Sequence, residues 1–232
     1  MGRNVHLWAY GWWGEPVIAF PSAAGMAHEW QKEGMVEVLA PYINAGKIKL
    51  YCPESNVSEA WTGKKDPAWR IARHAAYEKF VTTELLAFIR QDCNMDHVTP
   101  PVMGCSLGGL YAALMTLKHP ELFPRSLSMS GRYDATNFTD GFQNAEVYYN
   151  NPLAFVPNLS GAALDRTRKG RLTLVCGRGP FEEGCIEETI ALANVLQDKA
   201  IPCERDIWGR DSKHDWDWWQ KQLRVHAPRV LA

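Results

Sequence analysis

The sequence has little that would attract a nucleic acid or a membrane. Its 232 residues carry 25 Lys and Arg against 26 Asp and Glu. It therefore lacks the basic excess that marks proteins binding nucleic acid or anionic lipid. No apolar run approaches the roughly 20 residues that cross a bilayer, and the segment Met1–Trp8 lacks the apolar stretch of a signal peptide. We expect no nucleic-acid partner and no membrane association.

Cysteines are few and widely spaced. None of the six stands in a Cys-x-x-Cys pair, so the spacing of a structural zinc site is missing and we predict no metal site. Most of them fall within apolar strands or helices, which indicates free, buried thiols. Free thiols are typical of a reducing compartment, so we expect a cytoplasmic protein. Nothing in the composition predicts a cofactor.

Linkers, repeats and low-complexity tracts are also missing. With 46% hydrophobic residues the chain is long enough for one substantial core. Short apolar runs alternate with helical patterns, which predicts an α/β fold with a mostly parallel sheet covered by helices on both faces. We therefore expect a single domain over residues 1–232, and a homo-oligomer is compatible with this composition.

The most informative segment reads Gly-Cys-Ser-Leu-Gly-Gly at residues 104–109 and contains the pattern Gly-x-Ser-x-Gly around Ser106. A β-branched run precedes it, and leucines recur at helical spacing from Leu107 to Leu117. Strand, tight turn and helix in this order indicate a nucleophile elbow, whose glycines leave room for neighbouring backbone. The simpler interpretation is that Ser106 only caps the helix.

His214 favours the elbow. It follows the run Cys203–Gly209, which alternates like a strand, and it precedes a helical pattern with acidic residues at its start. In an α/β-hydrolase the general base lies on a loop after the last strand, and the chain order is Ser, acid, His. We predict that His214 is the base and that the other six histidines are structural.

The acid must lie between these two residues. The apolar strand Arg171–Gly177 is followed by a loop with two adjacent carboxylates, Glu182 and Glu183. One carboxylate is enough to orient the imidazole. Glu182 is our first choice and Glu183 the alternative, while Asp206 and Asp211, on the histidine's own strand and loop, are the remaining competitors.

Three further motifs are Met-Ser-Gly at 129–131, Asn-Asn-Pro at 150–152 and His-Asp-Trp at 214–216. With them the sequence resembles the esterase D-like family of α/β-hydrolases over about residues 16–223. That family includes S-formylglutathione hydrolases, enterochelin esterases, feruloyl esterases and mycobacterial mycolyltransferases. The resemblance implies a serine carboxylesterase that acts through an acyl-enzyme on Ser106. With Glu182 as the acid this would be a Ser-His-Glu triad, whereas many members of the family carry an aspartate there. The lack of a large lid favours short-chain acyl esters as substrates. An acyltransferase with the same triad and a non-catalytic binding module are the alternatives.

The same fold supplies one oxyanion amide directly after the nucleophile and another from the loop after an earlier strand. By position these amides belong to Leu107 and to Ala23, with Ala24 as the alternative. The irregular region Tyr133–Lys169 predicts short helices beside the cleft rather than a large lid. Four residues are predicted to contact a small ester substrate: Trp61, Tyr148, Asn151 and Trp216.

Overall fold

A computed structural model describes residues 1–23 and 25–231, which form one sheet of seven strands flanked by helices. The strands are β1 (Leu7–Tyr10), β2 (Glu15–Phe20), β3 (Ile48–Pro53), β4 (Val102–Cys105), β5 (Arg125–Met129), β6 (Arg171–Cys176) and β7 (Cys203–Ile207). The α-helices are α1 (Glu29–Lys32), α2 (Met35–Asn44), α3 (Pro67–Phe80), α4 (Leu86–Cys93), α5 (Leu107–Lys118), α6 (Ala145–Tyr149), α7 (Pro152–Phe155), α8 (Gly161–Thr167), α9 (Cys185–Asp198) and α10 (Trp216–Val230). None of the helices in the described part is both long and apolar enough to cross a membrane.

The strand order β1-β3-β2-β4-β5-β6-β7 places the two loops of interest side by side. All neighbouring strands are parallel except β1, which pairs antiparallel with β3. From β2 the chain moves outward to β3 and then returns to β4 on the other side of β2. Ligands of open parallel sheets bind at such a reversal, beyond the carboxyl ends of the strands. The loop after β2 and the turn after β4 meet at this point.

The apolar strands explain why helices cover both faces. Along β2, Ile18 and Phe20 face one hydrophobic cluster, whereas Val17 and Ala19 face the other. Because successive strand side chains point to opposite faces, a fully apolar strand needs helices on both sides. Helix α5 packs on the first face, and α2 and α10 pack on the second. The predicted α/β fold with a mostly parallel sheet is confirmed.

The apolar spacing predicts one long helix over Trp69–Asp92, and the structure differs from this prediction in two details. The helix begins at Pro67, because the Asp66 carboxylate accepts the amide hydrogens of Ala68 and Trp69. It also widens into a π-helical turn over Val81–Leu85 before α4. The hydroxyls of two threonines in this stretch, Thr82 and Thr83, donate to carbonyls of the preceding turn, a back-bonding that loosens helices.

The strand before the elbow is shorter than the β-branched run predicts. Residues 98–101 lie outside β4, which begins only at Val102. Pro100 and Pro101 have no amide hydrogen to give to a neighbouring strand. The Pro101 carbonyl still accepts the Ile18 amide hydrogen over 3.0 Å, so the strand is aligned against β2 before it formally starts.

Candidate active site

Ser106 occupies a strained turn between β4 and α5. Its backbone has φ +56° and ψ −124°, a left-handed conformation that costs a non-glycine residue roughly 1–3 kcal/mol. The Ser106 amide hydrogen is donated to the Met129 carbonyl over 2.9 Å, which ties the turn to the end of β5. Its side chain is half-buried. The strained turn, held by this hydrogen bond, places the Ser106 hydroxyl at the edge of the sheet.

The glycines of the motif are required by close backbone contacts. A Cβ on Gly104 would lie 2.1 Å from the Gly108 carbonyl oxygen, and one on Gly108 would lie 2.4 Å from the Pro21 carbonyl oxygen. Both separations are far shorter than any real Cβ contact. The second contact also brings the loop after β2 directly against the elbow, which is where an oxyanion amide is expected.

The two predicted oxyanion amides lie on either side of this contact. Leu107 is the first residue of α5, where an amide hydrogen has no acceptor within the helix. In the facing loop, the Ser22 amide hydrogen already binds the Glu29 carboxylate over 2.7 Å. The next residue, Ala23, is exposed, and its carbonyl accepts the Ser55 hydroxyl. The alternative, Ala24, lies outside the described residues, so Leu107 and Ala23 stay predictions.

Glu182 and His214 meet beyond the carboxyl ends of β6 and β7. Nδ1 of His214 lies 3.1 Å from Oε2 of Glu182. A carboxylate can only accept, so Nδ1 donates and Nε2 is left with the lone pair that a general base needs. Burial alone would raise the pKa of Glu182, but hydrogen bonds from His214 and Ser130 outweigh it and the pKa is lowered. The carboxylate is therefore charged at neutral pH.

The loop after β6 separates the two candidate glutamates. Glu182 is 1% exposed, whereas Glu183 is exposed to solvent. Just before them, Phe181 takes a left-handed φ of +67°, which turns the chain so that Glu182 faces inward. The competitor Asp206 accepts hydrogen bonds from Trp208 and His226 instead. The structure thus brings Glu182, and not Glu183, to His214, while the catalytic role itself stays a prediction.

Two residues that we did not single out, Ser130 and Trp219, contribute to the surroundings of the carboxylate. Ser130, fully buried with φ +50° directly after β5, donates its hydroxyl hydrogen to Oε1 of Glu182 over 2.6 Å. Its Oγ in turn accepts the indole N–H of Trp219 over 3.0 Å. The Trp219 ring also meets the His214 ring edge to face, with 4.8 Å between centroids. The Met-Ser-Gly motif after β5 was the available sequence signal.

The loop that carries Glu182 and the loop that carries His214 are joined along their backbones. Gly179 donates its amide hydrogen to the Ser212 carbonyl over 2.7 Å, and His214 donates its own to the Pro180 carbonyl over 3.1 Å. A Cβ on Gly177 would lie 2.1 Å from the Ser212 carbonyl oxygen, so only glycine permits this approach. The acid and base loops therefore hold each other in register.

The serine and the histidine share one edge of the sheet without a direct bond. Ser106 follows β4, and His214 follows β7. Within residues 1–23 and 25–231, the Ser106 hydroxyl makes no hydrogen bond to His214. Catalytic hydrogen bonds of this kind often tighten only when substrate is bound.

Residues 17–230 match the family described as "Putative esterase". The chain belongs to this family. None of the curated proteins with which it was compared matches it in sequence. The family makes the protein an esterase-type hydrolase.

Solved structures share the fold of this esterase. A ferulic acid esterase is 21% identical, with a TM-score of 0.73 over 94% of this chain and 85% of that one. An S-formylglutathione hydrolase from Agrobacterium tumefaciens is 15% identical, with a TM-score of 0.74 over 98% and 88% of the two chains. Fluorophosphonate-binding serine hydrolase F of Staphylococcus aureus is also 15% identical, with a TM-score of 0.66 over 95% and 84%. These similarities show the α/β-hydrolase fold.

The four predicted substrate contacts of the esterase lie in different surroundings. Trp61 is 3% exposed and packs against His74, with 4.7 Å between ring centroids. Asn151 is buried and donates to the Asp134 carboxylate over 2.9 Å. Tyr148 is half-buried. Trp216, also half-buried, contacts the ring of Trp219 with 4.9 Å between centroids. Their contact with substrate stays a prediction, and Trp216 is the one joined to His214 through Trp219.

A thiol of the esterase lies close to the acid–base pair. Cys185, the first residue of α9, is buried, and its Sγ lies 3.8 Å from Nδ1 of His214. Together Glu182, Cys185 and His214 offer one oxygen, one sulfur and one nitrogen, all within 4.8 Å of one another. Such a set of donor atoms can bind a metal ion. The sequence did not reveal it, because the chain has no Cys-x-x-Cys spacing.

Proposed function

We propose that this protein is a serine carboxylesterase that hydrolyses short-chain acyl esters through an acyl-enzyme on Ser106. The observation that carries the proposal is the hydrogen bond from His214 to Glu182. It leaves Nε2 of the imidazole as a proton acceptor at the sheet edge where the strained Ser106 lies. Membership of an esterase family and the α/β-hydrolase fold support the same reaction class.

The reaction begins when the Ser106 hydroxyl oxygen attacks the ester carbonyl and its proton passes to Nε2 of His214. Glu182 stabilises the imidazolium that forms. The oxyanion of the tetrahedral intermediate is held by the Leu107 and Ala23 amides, each worth about 3 kcal/mol of barrier. His214 then protonates the leaving alcohol. In the second half of the reaction His214 takes a proton from a water molecule, which attacks the acyl carbonyl. His214 finally returns that proton to the Ser106 oxygen as the acid leaves.

Short acyl groups fit this site better than long ones. The region between Tyr133 and Lys169 forms short helices rather than a separate lid, and the loop side chains Trp61 and Asn151 are packed inward. A long acyl chain needs an apolar channel, because it gains only about 0.8 kcal/mol for each methylene that it buries. A small acyl group needs little more than the elbow and its oxyanion amides.

A fluorophosphonate probe tests the proposal directly. It reacts covalently with an activated serine, so intact-mass spectrometry and peptide mapping should find one adduct, on Ser106. Ser106→Ala should abolish the adduct, whereas Ser58→Ala, at an exposed serine outside the site, should keep it. A protein that bears no adduct, or that bears it on another serine, would refute the nucleophile. A binding module that merely retains the fold gives no adduct.

A further inference from the structure

We propose that Glu182, Cys185 and His214 form a Zn²⁺ site and that zinc bound there switches off the acid–base pair. The inference rests on the proposed function for its consequence, since the switch acts on the base of that reaction. The site itself rests on geometry alone. It uses a thiol that the proposed reaction does not need.

The distances between the three donor atoms are close to those of a zinc site. Zinc–ligand bonds of about 2.0–2.3 Å at tetrahedral angles separate nitrogen from oxygen by roughly 3.3 Å and sulfur from either by roughly 3.6 Å. Nδ1 of His214 lies 3.1 Å from Oε2 of Glu182 and 3.8 Å from Sγ of Cys185. The remaining separation, from sulfur to oxygen, is at most 4.8 Å. Side-chain adjustments of about an ångström therefore suffice.

The kinds of donor select the metal. One thiolate, one imidazole and one carboxylate suit Zn²⁺, whereas Mg²⁺ and Ca²⁺ prefer oxygen ligands alone. Three protein ligands leave a fourth position for water, as in many open zinc sites. The His214 side chain is 20% exposed, so an ion can approach from the solvent side although Glu182 and Cys185 are buried.

Binding of zinc would remove the base by changing its tautomer. Zinc takes the lone pair of Nδ1, so the single proton of the neutral imidazole moves to Nε2. The Cys185 thiol releases its own proton to solvent as the S–Zn bond forms. Nε2 then carries hydrogen and cannot accept the Ser106 proton. Glu182, engaged by the metal, no longer orients the ring.

Cobalt(II) provides a readout that does not depend on activity. Chelator-treated protein titrated with Co²⁺ should develop the near-ultraviolet charge-transfer band of a thiolate–cobalt bond, and Zn²⁺ should displace it. Cys185→Ala should lose the band, and Cys185→Ser serves as a second variant should alanine disturb folding. Cys203→Ala, at the opposite end of the sheet, should keep it. Absence of the band from the wild type, or its survival in both Cys185 variants, would overturn the site.

Inhibition links the site to the reaction. Rates of short-chain ester hydrolysis are measured against zinc concentration, each variant being normalised to its own rate in chelator. Cys185→Ala should raise the half-inhibitory zinc concentration at least tenfold, and Mg²⁺ should not inhibit the wild type. Protein that shows the cobalt band but hydrolyses no ester supports the metal site and refutes the esterase. Hydrolysis without either the band or zinc inhibition refutes the metal site alone.

Discussion

Ser130 donates its hydroxyl hydrogen to Oε1 of Glu182 over 2.6 Å and so fixes the carboxylate oxygen that His214 does not contact. Trp219 orients that hydroxyl by donating its indole N–H to Ser130 Oγ. A hydrogen bond to a charged acceptor contributes about 1.5–3 kcal/mol. In the proposed mechanism Ser130 is therefore a positioning residue, which acts on His214 through the carboxylate.

Removing the Ser130 hydroxyl should lower kcat about tenfold to a hundredfold, the equivalent of one hydrogen bond to a charged group. Both Ser130→Ala and Ser130→Gly lack the hydroxyl, but glycine also relieves the left-handed backbone. We expect both variants to lose activity with KM nearly unchanged, and glycine to be the more stable of the two. Steady-state kinetics and urea unfolding check this. A fully active Ser130→Gly would show that the hydroxyl positions nothing.

Glu182→Gln should reduce kcat by at least a hundredfold, because an amide can neither stabilise the imidazolium nor fix the correct tautomer. Glu183→Gln, the same change one residue later on an exposed side chain, should alter kcat less than twofold. Hydrolysis of p-nitrophenyl acetate measures both. The reverse order of effects would mean that the acid is Glu183.

Activity should fall as the acyl chain of the substrate grows, with acetyl to butanoyl esters preferred over octanoyl esters. Each extra methylene gains about 0.8 kcal/mol only where it is buried, and it costs more where it does not fit. A series of p-nitrophenyl esters compared by kcat/KM checks the order. A maximum at ten carbons or more would contradict the short-acyl proposal. Adding an acceptor alcohol and analysing products would reveal acyl transfer.

Stability should decrease on mild acidification because of His74. Complete burial is the main cause that lowers the pKa of His74 to about 4. Below the ordinary histidine pKa of about 6.5 the unfolded chain binds a proton that the folded one does not. The free energy of unfolding should therefore fall by up to about 3 kcal/mol as the pH drops from about 6.5 to about 4.

Urea unfolding at a series of pH values measures the contribution of His74. His74→Gln, whose amide does not titrate, should show a flatter dependence over this window than the wild type. His97→Gln makes the same change at an exposed histidine and should keep the wild-type dependence. Equal slopes in all three proteins would rule out His74 as the source.

The sequence was sufficient for features that repeat along the chain. Apolar strands and the helix after Ser106 follow from periodicity and turn residues, and the fold they predict is confirmed. The sequence favours Glu182 but leaves Glu183 open as the alternative, and the contact of Glu182 with His214 depends on the left-handed turn at Phe181. No local pattern reveals such a turn at a non-glycine residue.

Contacts between distant parts of the chain escaped sequence reasoning. Ser130 and Trp219 lie 89 positions apart and meet only because β5 and α10 pack together. The sequence predicts that Trp61 contacts substrate, and that contact stays a prediction. Trp61 is buried against His74, which lies on α3, later in the chain. The local sequence around Trp61 therefore does not reveal this contact.

The joined loops around Gly177 and Ser212 have a mechanical consequence. Three backbone hydrogen bonds, from Arg178, Gly179 and His214, clip the acid loop to the base loop. Separating Glu182 from His214 would break all three, so these hydrogen bonds hold the two side chains together without help from a ligand. Ser106 lies outside this set of hydrogen bonds, and its turn is held by the Met129 carbonyl instead. In the proposed mechanism the pairing of acid and base is therefore already formed before an ester binds, and only the contact between Ser106 and His214 has still to be made.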